Sequence, residues 1–354
     1  MRRPGVISVL LGALQTLLIA GLLSGCARPV EPGVTELVFA SPYSPNHPFS
    51  KADQEWMAFV EKRSEGRLKI KPVWSGALLS SDMSMEELRH GVADIGLITP
   101  IYVRGGTHLI RIQSGFYQGA DSVESQVALY RCIDAANPQV GRELAGLKVL
   151  AVQGGTLPGL ITVNRPVRSL ADIKGLRIRA PTELLSVLDS LGADPVNMPM
   201  GEVYSAMAKG VIDGVIAPED TFKSLHFAEI SKHFYQIAVP RGAYPARAMS
   251  AKRWNTLAAQ DRAVLEEGIA VWEAALARQV RAAVDKGKDE AAAYKVTFNP
   301  ATTADQQRFD AIYLRDSQAN ARGLSAFGID GEAAFQSART AVQGRDRISC
   351  GSGT

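Results

Sequence analysis

The chain is poor in the residues that build metal and redox sites. Cysteine occurs three times with no Cys-x-x-Cys, and the five histidines (47, 90, 108, 226 and 233) fall at no metal-ligand spacing, which argues against a zinc site. An excess of one charge is also lacking: 39 Lys plus Arg stand against 36 Asp plus Glu, a net of +3 with no Lys/Arg-rich run. That balance offers no field for nucleic acid, so nucleic-acid partners are set aside. Phosphate-cradling, dinucleotide and nucleophile-elbow motifs are missing as well. The adjacent Glu86-Glu87 falls in the first turn of a helix, where acids stabilise the dipole. Neither catalysis nor a cofactor is expected.

What remains is an ordinary globular composition, 46% hydrophobic and 21% charged, over 354 residues; that exceeds one core and suits two lobes. The N-terminus reads as an export leader. Arg2 and Arg3 precede an apolar run from Val6 to Leu23, and small residues follow. Leu23-Ser24-Gly25-Cys26 is similar to the lipobox of bacterial lipoproteins, where cleavage precedes a cysteine whose thiol carries lipid. An uncleaved anchor is the alternative, since the run is about long enough to span a bilayer. In the lipoprotein reading residues 1–25 are removed, 26–34 form a tether, and losing Arg2 and Arg3 takes the net charge from +3 to +1. On either reading the folded part works outside the cytoplasm, on the periplasmic side. A disulfide between Cys132 and Cys350 is permitted there, but spacing does not establish it, and the polar tail 345–354 reads as a candidate for disorder.

Periodicity then gives an alternation of strands and helices. Glu36–Ala40 reads as a strand, Ser50 to Ser64 as a helix capped by Ser50, and Leu68 to Lys71 as a strand with one wet face. Ser84-Met85-Glu86-Glu87 reads as a capping box opening a helix that Gly91 closes, and Ala93–Thr99 as a strand ended by Pro100. That order implies right-handed crossovers and a parallel sheet. After the segment Leu147–Val152 the same grammar returns: strands at Leu160–Asn164, Leu176–Arg179 and Val211–Ala217, and helices from Ser169, Thr182 and Glu202. The run His90-Gly91-Val92-Ala93-Asp94 through Pro100 matches Lys209-Gly210-Val211-Ile212-Asp213 through Pro218. Each joins a helix end, a glycine, an aspartate and a buried strand pointing at a proline loop. Two similar lobes facing one another would bind ligand at those strand ends, in a cleft. Leu257 to Tyr294 carries one long helical stripe of ~50 Å, able to brace both lobes, with a break near Gly287 as the alternative.

One charge stands out. Arg179 ends its strand immediately before Ala180-Pro181, so its guanidinium is placed to hold a carboxylate bidentately, with a helix N-terminus at Thr182 adding N–H donors. A surface or ion-paired arginine at a strand end is the alternative.

At these residues the chain resembles the substrate-binding proteins of TRAP transporters, the DctP type. The likeness runs from Asn164-Arg165-Pro166 through Gly175-Leu176-Arg177-Ile178-Arg179-Ala180-Pro181, continues in Leu191–Val196 and Met198–Met207, and ends at Gly210–Gly214. In the first lobe it covers Gly66–Ile70 and Leu88–Asp94. The resemblance implies an α/β, two-lobed, periplasmic-binding-protein-like fold (type II-like). Two mixed sheets flanked by helices would enclose an inter-lobe cleft, with the long helix as a brace. It divides the chain into lobe I (35–150 and about 241–256), lobe II (151–240), the long helix (257–294) and a C-terminal segment (295–344). It implies a binder that closes on a small organic acid and hands it to TRAP membrane permease subunits driven by an ion gradient. Arg179 falls on the family's carboxylate-pairing arginine. Motif position adds Thr99, Ser41 or Tyr43, Thr182, Met200 and Ala217 to the pocket. Three departures matter: no second basic residue lies near Leu157–Gly159, Ala217 stands where many members have Asn, and Thr99 where others have an acid or amide. They suggest one carboxylate clamp and an apolar ligand body, as in a keto acid or an aromatic acid. A sensory binding protein for a membrane receptor, or a lipid-anchored hydrolase, are the competing readings.

Overall fold

The structure is a computed structural model that describes residues 33–103 and 105–350; the leader, Cys26, most of the tether and residues 351–354 lie outside them. Strands are numbered in chain order: β1 Thr35–Ala40, β2 Leu68–Val73, β3 Ile95–Leu97, β4 Leu147–Gln153, β5 Gly159–Thr162, β6 Arg177–Arg179, β7 Asp194–Val196, β8 Gly214–Ala217, β9 His233–Gln236, β10 Tyr244–Ser250 and β11 Thr297–Pro300. A first sheet has the order β2-β1-β3-β10-β4 and a second the order β11-β9-β5-β8-β6-β7. Within each, three strands separated by helices run parallel: β1 with β2 and β3, and β6 with β7 and β8. The remaining strands make both sheets mixed. β10 is antiparallel to β3 and β4, and β5 is antiparallel to β8 and β9. Local patterning finds β5, as Leu160–Asn164, without its antiparallel sense, and it misses β9, β10 and β11, whose partners are many residues away. The chain passes between the sheets three times: in the short segments 154–158 and 237–243, and again between β10 and β11 through the residues that hold the long helix.

The repeated Gly-Val-x-Asp turn does the same job in each half. Gly91 (φ +80°) and Gly210 (φ +67°) take the left-handed conformation that ends the preceding helix. The aspartate then ties the incoming strand to its neighbour. Asp94 accepts from the Val38 N–H through Oδ2 at 2.8 Å and donates its own N–H to the Val38 carbonyl at 3.0 Å. Asp213 accepts from the Arg177 N–H at 2.7 Å and donates to the Arg177 carbonyl at 2.8 Å. β3 and β8, which follow, are buried throughout.

One helix of 35 residues, Ala259–Ala293, spans the molecule without a break at Gly287. Its buried face packs on helix Pro48–Arg63 beside the first sheet and on the short helix Thr221–Ser224 beside the second. Beneath it Arg247 of β10 pairs with Asp53 through Nε–Oδ1 (2.6 Å) and Nη2–Oδ2 (2.8 Å), and Trp272 Nε1 donates to the same Oδ1 at 2.7 Å. A crossing strand, a lobe helix and the brace are thus tied by one buried ion pair.

Three local expectations change. The helix predicted from Ser50 starts at Pro48, capped by His47, whose Nδ1 accepts from the Phe49 N–H. Burial holds that imidazole down to about 3, which keeps Nδ1 an acceptor. Ser84 is not a cap: Met83 precedes the helix, and Ser84 Oγ instead accepts from the Thr99 N–H at 3.2 Å. The tail is ordered to Cys350, which is disulfide-bonded to Cys132. Asp346 Oδ1 accepts from the N–H groups of Asp121 and Ser122, fastening the tail to the start of helix Val123–Ala136.

Glycine inside a helix costs about 1 kcal/mol relative to alanine, so propensity alone predicts that Gly287→Ala stabilises. A Cβ there would lie 2.1 Å from the Glu219 carbonyl oxygen, a backbone atom with little room to yield. We predict a loss of about 1–3 kcal/mol in urea denaturation; a gain would show that brace and second lobe do not abut at this point.

Candidate functional site

The carboxyl ends of β1, β3, β6 and β8 open onto a cleft lined from both lobes. Three adjoining hollows occupy it, of about 570, 110 and 50 Å³, and Tyr43 and Met200 line all three. The largest is the outer one, and among the described residues its lining contains no Lys or Arg. The inner hollow of about 110 Å³ holds the chemistry. Arg179, Arg241 and Glu183 line it among Tyr43, Tyr102, Tyr244, Phe49, Ile216 and Val239.

Arg179 is 2% exposed. Its Nε donates to the Met198 carbonyl at 2.9 Å, which fixes the head at the end of β6. Its Nη2 donates to the Tyr102 hydroxyl at 2.6 Å, and Cζ lies 5.7 Å from the centre of that ring. Tyr102 follows β3 in the first lobe, so this bond crosses the cleft. Among the described residues no carboxylate oxygen lies within 4.0 Å of the guanidinium. The acid facing it is Glu183, which burial raises above the usual carboxylate range against a hydrogen bond from Ser114 and the fields of Arg179 and Arg111. Glu183 Oε2 has no hydrogen-bond partner. A buried cation is therefore left facing an acid pushed toward neutrality, an arrangement that a ligand carboxylate would complete.

Of the residues predicted for the pocket, Arg179, Tyr43 and Met200 line the inner hollow. Thr99 lines the outer one, with its hydroxyl on the Ser81 carbonyl. Three lie elsewhere. Ser41 is buried and its Oγ accepts from the Tyr43 N–H at 3.3 Å, shaping the loop rather than lining a hollow. Ala217 is fully buried in the core with Val215; strand alternation gives the inner hollow to Ile216, and the proline that follows also reaches it. Thr182 begins a 3₁₀ turn without capping a helix and borders a separate hollow with Asp82 and Glu202. The helix N-terminus expected beside Arg179 is not formed at Thr182, since the following helix is Leu185–Ser190.

Sequence reasoning missed Tyr102, Glu183 and Arg241. The signal for Arg241 was present: between His233 and Arg247 it is the one ionisable side chain other than tyrosine, set in the run Val239-Pro240-Arg241-Gly242-Ala243. No basic residue lies near Leu157–Gly159 on the first crossing, but Arg241 supplies one from the second, so Arg179 is not alone in the cleft. The arginine head packs on Gly155, where a Cβ would sit 2.5 Å from Cζ.

This fold and cleft define a two-lobed binding protein of the periplasmic type. The model of the bacterial extracellular solute-binding proteins, family 7 (DctP), matches residues 39–319, and the chain belongs to that family. It is 28% identical over 187 residues to a solute-binding protein of Albidiferax ferrireducens, a match covering 51% of this chain and only 53% of that relative. Two solved structures share the fold. A TRAP solute-binding protein from Rhodoferax ferrireducens in complex with copurified benzoate superposes with a TM-score of 0.79 at 23% identity, covering 87% of this chain and 97% of its own. One from Bordetella bronchiseptica with bound (R)- and (S)-mandelate gives 0.75 at 22%, covering 87% and 99%. No helix among the described residues is long and apolar enough to cross a membrane.

Asp220 lies beside the inner hollow, bordering the small one, and burial lifts its carboxyl to about 6. A raised carboxyl lowers stability once it must ionise in the fold: the cost is absent below pH ~4, grows between ~4 and ~6, and is complete above that. We predict that Asp220→Asn gains on the wild type by about 2–3 kcal/mol across that interval in denaturation at stepped pH. A difference independent of pH would contradict this placement of Asp220.

Proposed function

We propose that this chain is the extracytoplasmic solute-binding component of a TRAP transporter and that it captures an organic acid. The ligand's carboxylate docks on Arg179, its apolar body lies among Tyr43, Tyr102, Phe49 and Met200, and lobe closure presents it to ion-gradient-driven permease subunits. The observation that carries this reading is the buried Arg179 guanidinium, without a carboxylate partner among the described residues, lining a hollow that Tyr43, Phe49, Tyr102 and Tyr244 also line. Family membership and neighbours that hold benzoate and mandelate support it.

Energetics divide the work. Micromolar affinity requires about −8 kcal/mol, and a charge-assisted hydrogen bond contributes ~1.5–3, so enclosure of the body must contribute most of the remainder. Closure also removes water from the ion pair, which strengthens it. The crossings 154–158 and 237–243 are the segments about which the lobes turn, and the brace holds both lobes on the opposite side. Binding proceeds without chemical turnover of the acid. Residues 1–25 are removed and Cys26 carries the lipid that anchors the protein to the membrane.

Arg179→Ala should weaken binding of an acid identified in a thermal-shift screen by at least ~30-fold in calorimetry, the loss expected when a desolvated charge pair is broken; retained affinity would sink the assignment. Cys26→Ser should move the protein from the membrane fraction to the soluble fraction of cells, and an unchanged membrane fraction would favour an uncleaved anchor.

A further inference from the structure

Glu183 is a buried acid that, among the described residues, no cation meets in an ion pair. It is 6% exposed and lines the inner hollow with Arg179. The guanidinium donates to the Met198 carbonyl and the Tyr102 hydroxyl instead, and no oxygen of Glu183 comes within 4.0 Å of it. Glu183 Oε2 has no hydrogen-bond partner. The carboxyl is nevertheless held in place from the first lobe, where Ser114 of the turn Gln113–Tyr117 donates to it. That turn is confined on two sides. A Cβ at Gly242, on the second crossing, would lie 2.9 Å from the Ser114 Cα, and one at Gly115 would run into Ser317 Oγ on helix Thr303–Gly323.

The charged and titratable groups around Glu183 come from four directions. Arg179 faces it from the end of β6, and Arg111 from helix His108–Ile112. Tyr313 faces it from helix Thr303–Gly323, with Asp316 beyond, engaged by Ser186 Oγ at 2.5 Å and Asn320 Nδ2 at 2.9 Å. Arg241, Tyr43, Tyr102 and Tyr244 line the hollow itself. Arg111 Nε and the Tyr313 hydroxyl are buried without a partner, as Oε2 is. The carboxyl is thus surrounded by polar groups yet tied to one donor. A buried carboxylate keeps its charge against such surroundings only through the fields of cations at a distance, and burial already raises Glu183 above the usual carboxylate range.

Resting on the proposed organic-acid function, we propose that ligand capture is coupled to proton uptake at Glu183: as the acid's carboxylate docks on Arg179, one proton passes from solvent onto the Glu183 carboxylate, leaving it a neutral carboxylic acid. The incoming anion takes up the field of Arg179 and adds a second negative charge to one small hollow. Two carboxylates sharing a site do not both stay ionised, and the one with fewer donors takes the proton. Oε2, which accepts from no donor, is the oxygen placed to carry it. Once protonated it is itself a donor, so a group that repelled the ligand becomes one able to bond it. The bound state holds more protons than the free state, so affinity rises as pH falls and levels off once free Glu183 is protonated as well.

The test is calorimetry of the full chain with benzoate, mandelate and hexanoate between about pH 5.5 and 8.5, where all three are anions, in phosphate and in Tris, whose heats of ionisation differ. Affinity should rise about three- to tenfold per pH unit lowered over part of that range, and the binding heat should differ between the two buffers. Glu183→Gln, neutral at every pH, should flatten the dependence and bind about tenfold more tightly than the wild type at the alkaline end, a gain that a merely structural role would not produce. Asp220→Asn, which removes the other raised carboxyl beside the hollow, should leave the dependence in place. Flat affinity with equal heats in both buffers overturns the proton coupling while the organic-acid reading survives; this comparison needs only the wild type. A dependence that persists in Glu183→Gln, or that vanishes in Asp220→Asn, places the proton elsewhere and overturns the assignment to Glu183. If no acid binds at any pH, the organic-acid reading itself fails and takes this one with it.

Discussion

A guanidinium removed from water without a carboxylate to meet it costs several kcal/mol, and folding tolerates that only where something else is expected to occupy the place. Arg179 is in that position: 2% exposed, fixed through Nε by the Met198 carbonyl and covered by the Tyr102 ring, with no carboxylate oxygen of the described residues within 4.0 Å. Arg247 shows the contrasting solution in the same molecule. It is buried to a similar degree, but Asp53 meets it with both oxygens, and the pair ties together a crossing strand, a lobe helix and the long brace. One buried arginine is spent on the scaffold; the other is the one we propose meets a ligand.

The scaffold explains why the second can be held so firmly. β6 ends at Arg179, and Pro181 stops the strand, so the head emerges at the cleft rather than along the sheet. Asp213 secures β6 to β8 from the other end, as Asp94 secures β1 to β3 in the first lobe. The cleft is made where two such units face one another. Tyr102 brings a first-lobe hydroxyl onto a second-lobe cation, so the site exists only in the two lobes together.

The elements that depend on neighbouring residues were legible in the sequence. The parallel strands, the Gly-Val-x-Asp turns, the long helix and the strand-end position of Arg179 all follow from local period and punctuation. What was not legible depends on partners far along the chain. β10 lies between β3 and β4 although nearly a hundred residues separate it from β4, which makes the sheet mixed, as the family resemblance implies and local period alone does not. Arg241 and Gly155 meet from opposite crossings, and no spacing rule connects them. Ala217 and Ile216 differ by one residue, yet the strand pleat sends one into the core and the other to the hollow, and family position alone chose the wrong one. Thr182 failed for another reason: a 3₁₀ turn replaces the helix start that would have aimed its N–H groups at the site.

Anion capture by the Arg179 head is the claim on which the functional account stands. The most direct measurement is a crystal structure of the protein with the acid that stabilises it most in a thermal screen. The account predicts a ligand carboxylate within 2.7–3.1 Å of the Arg179 nitrogens, enclosed by both lobes. An acid bound outside the inner hollow, with Arg179 turned onto the Glu183 carboxylate, would contradict it.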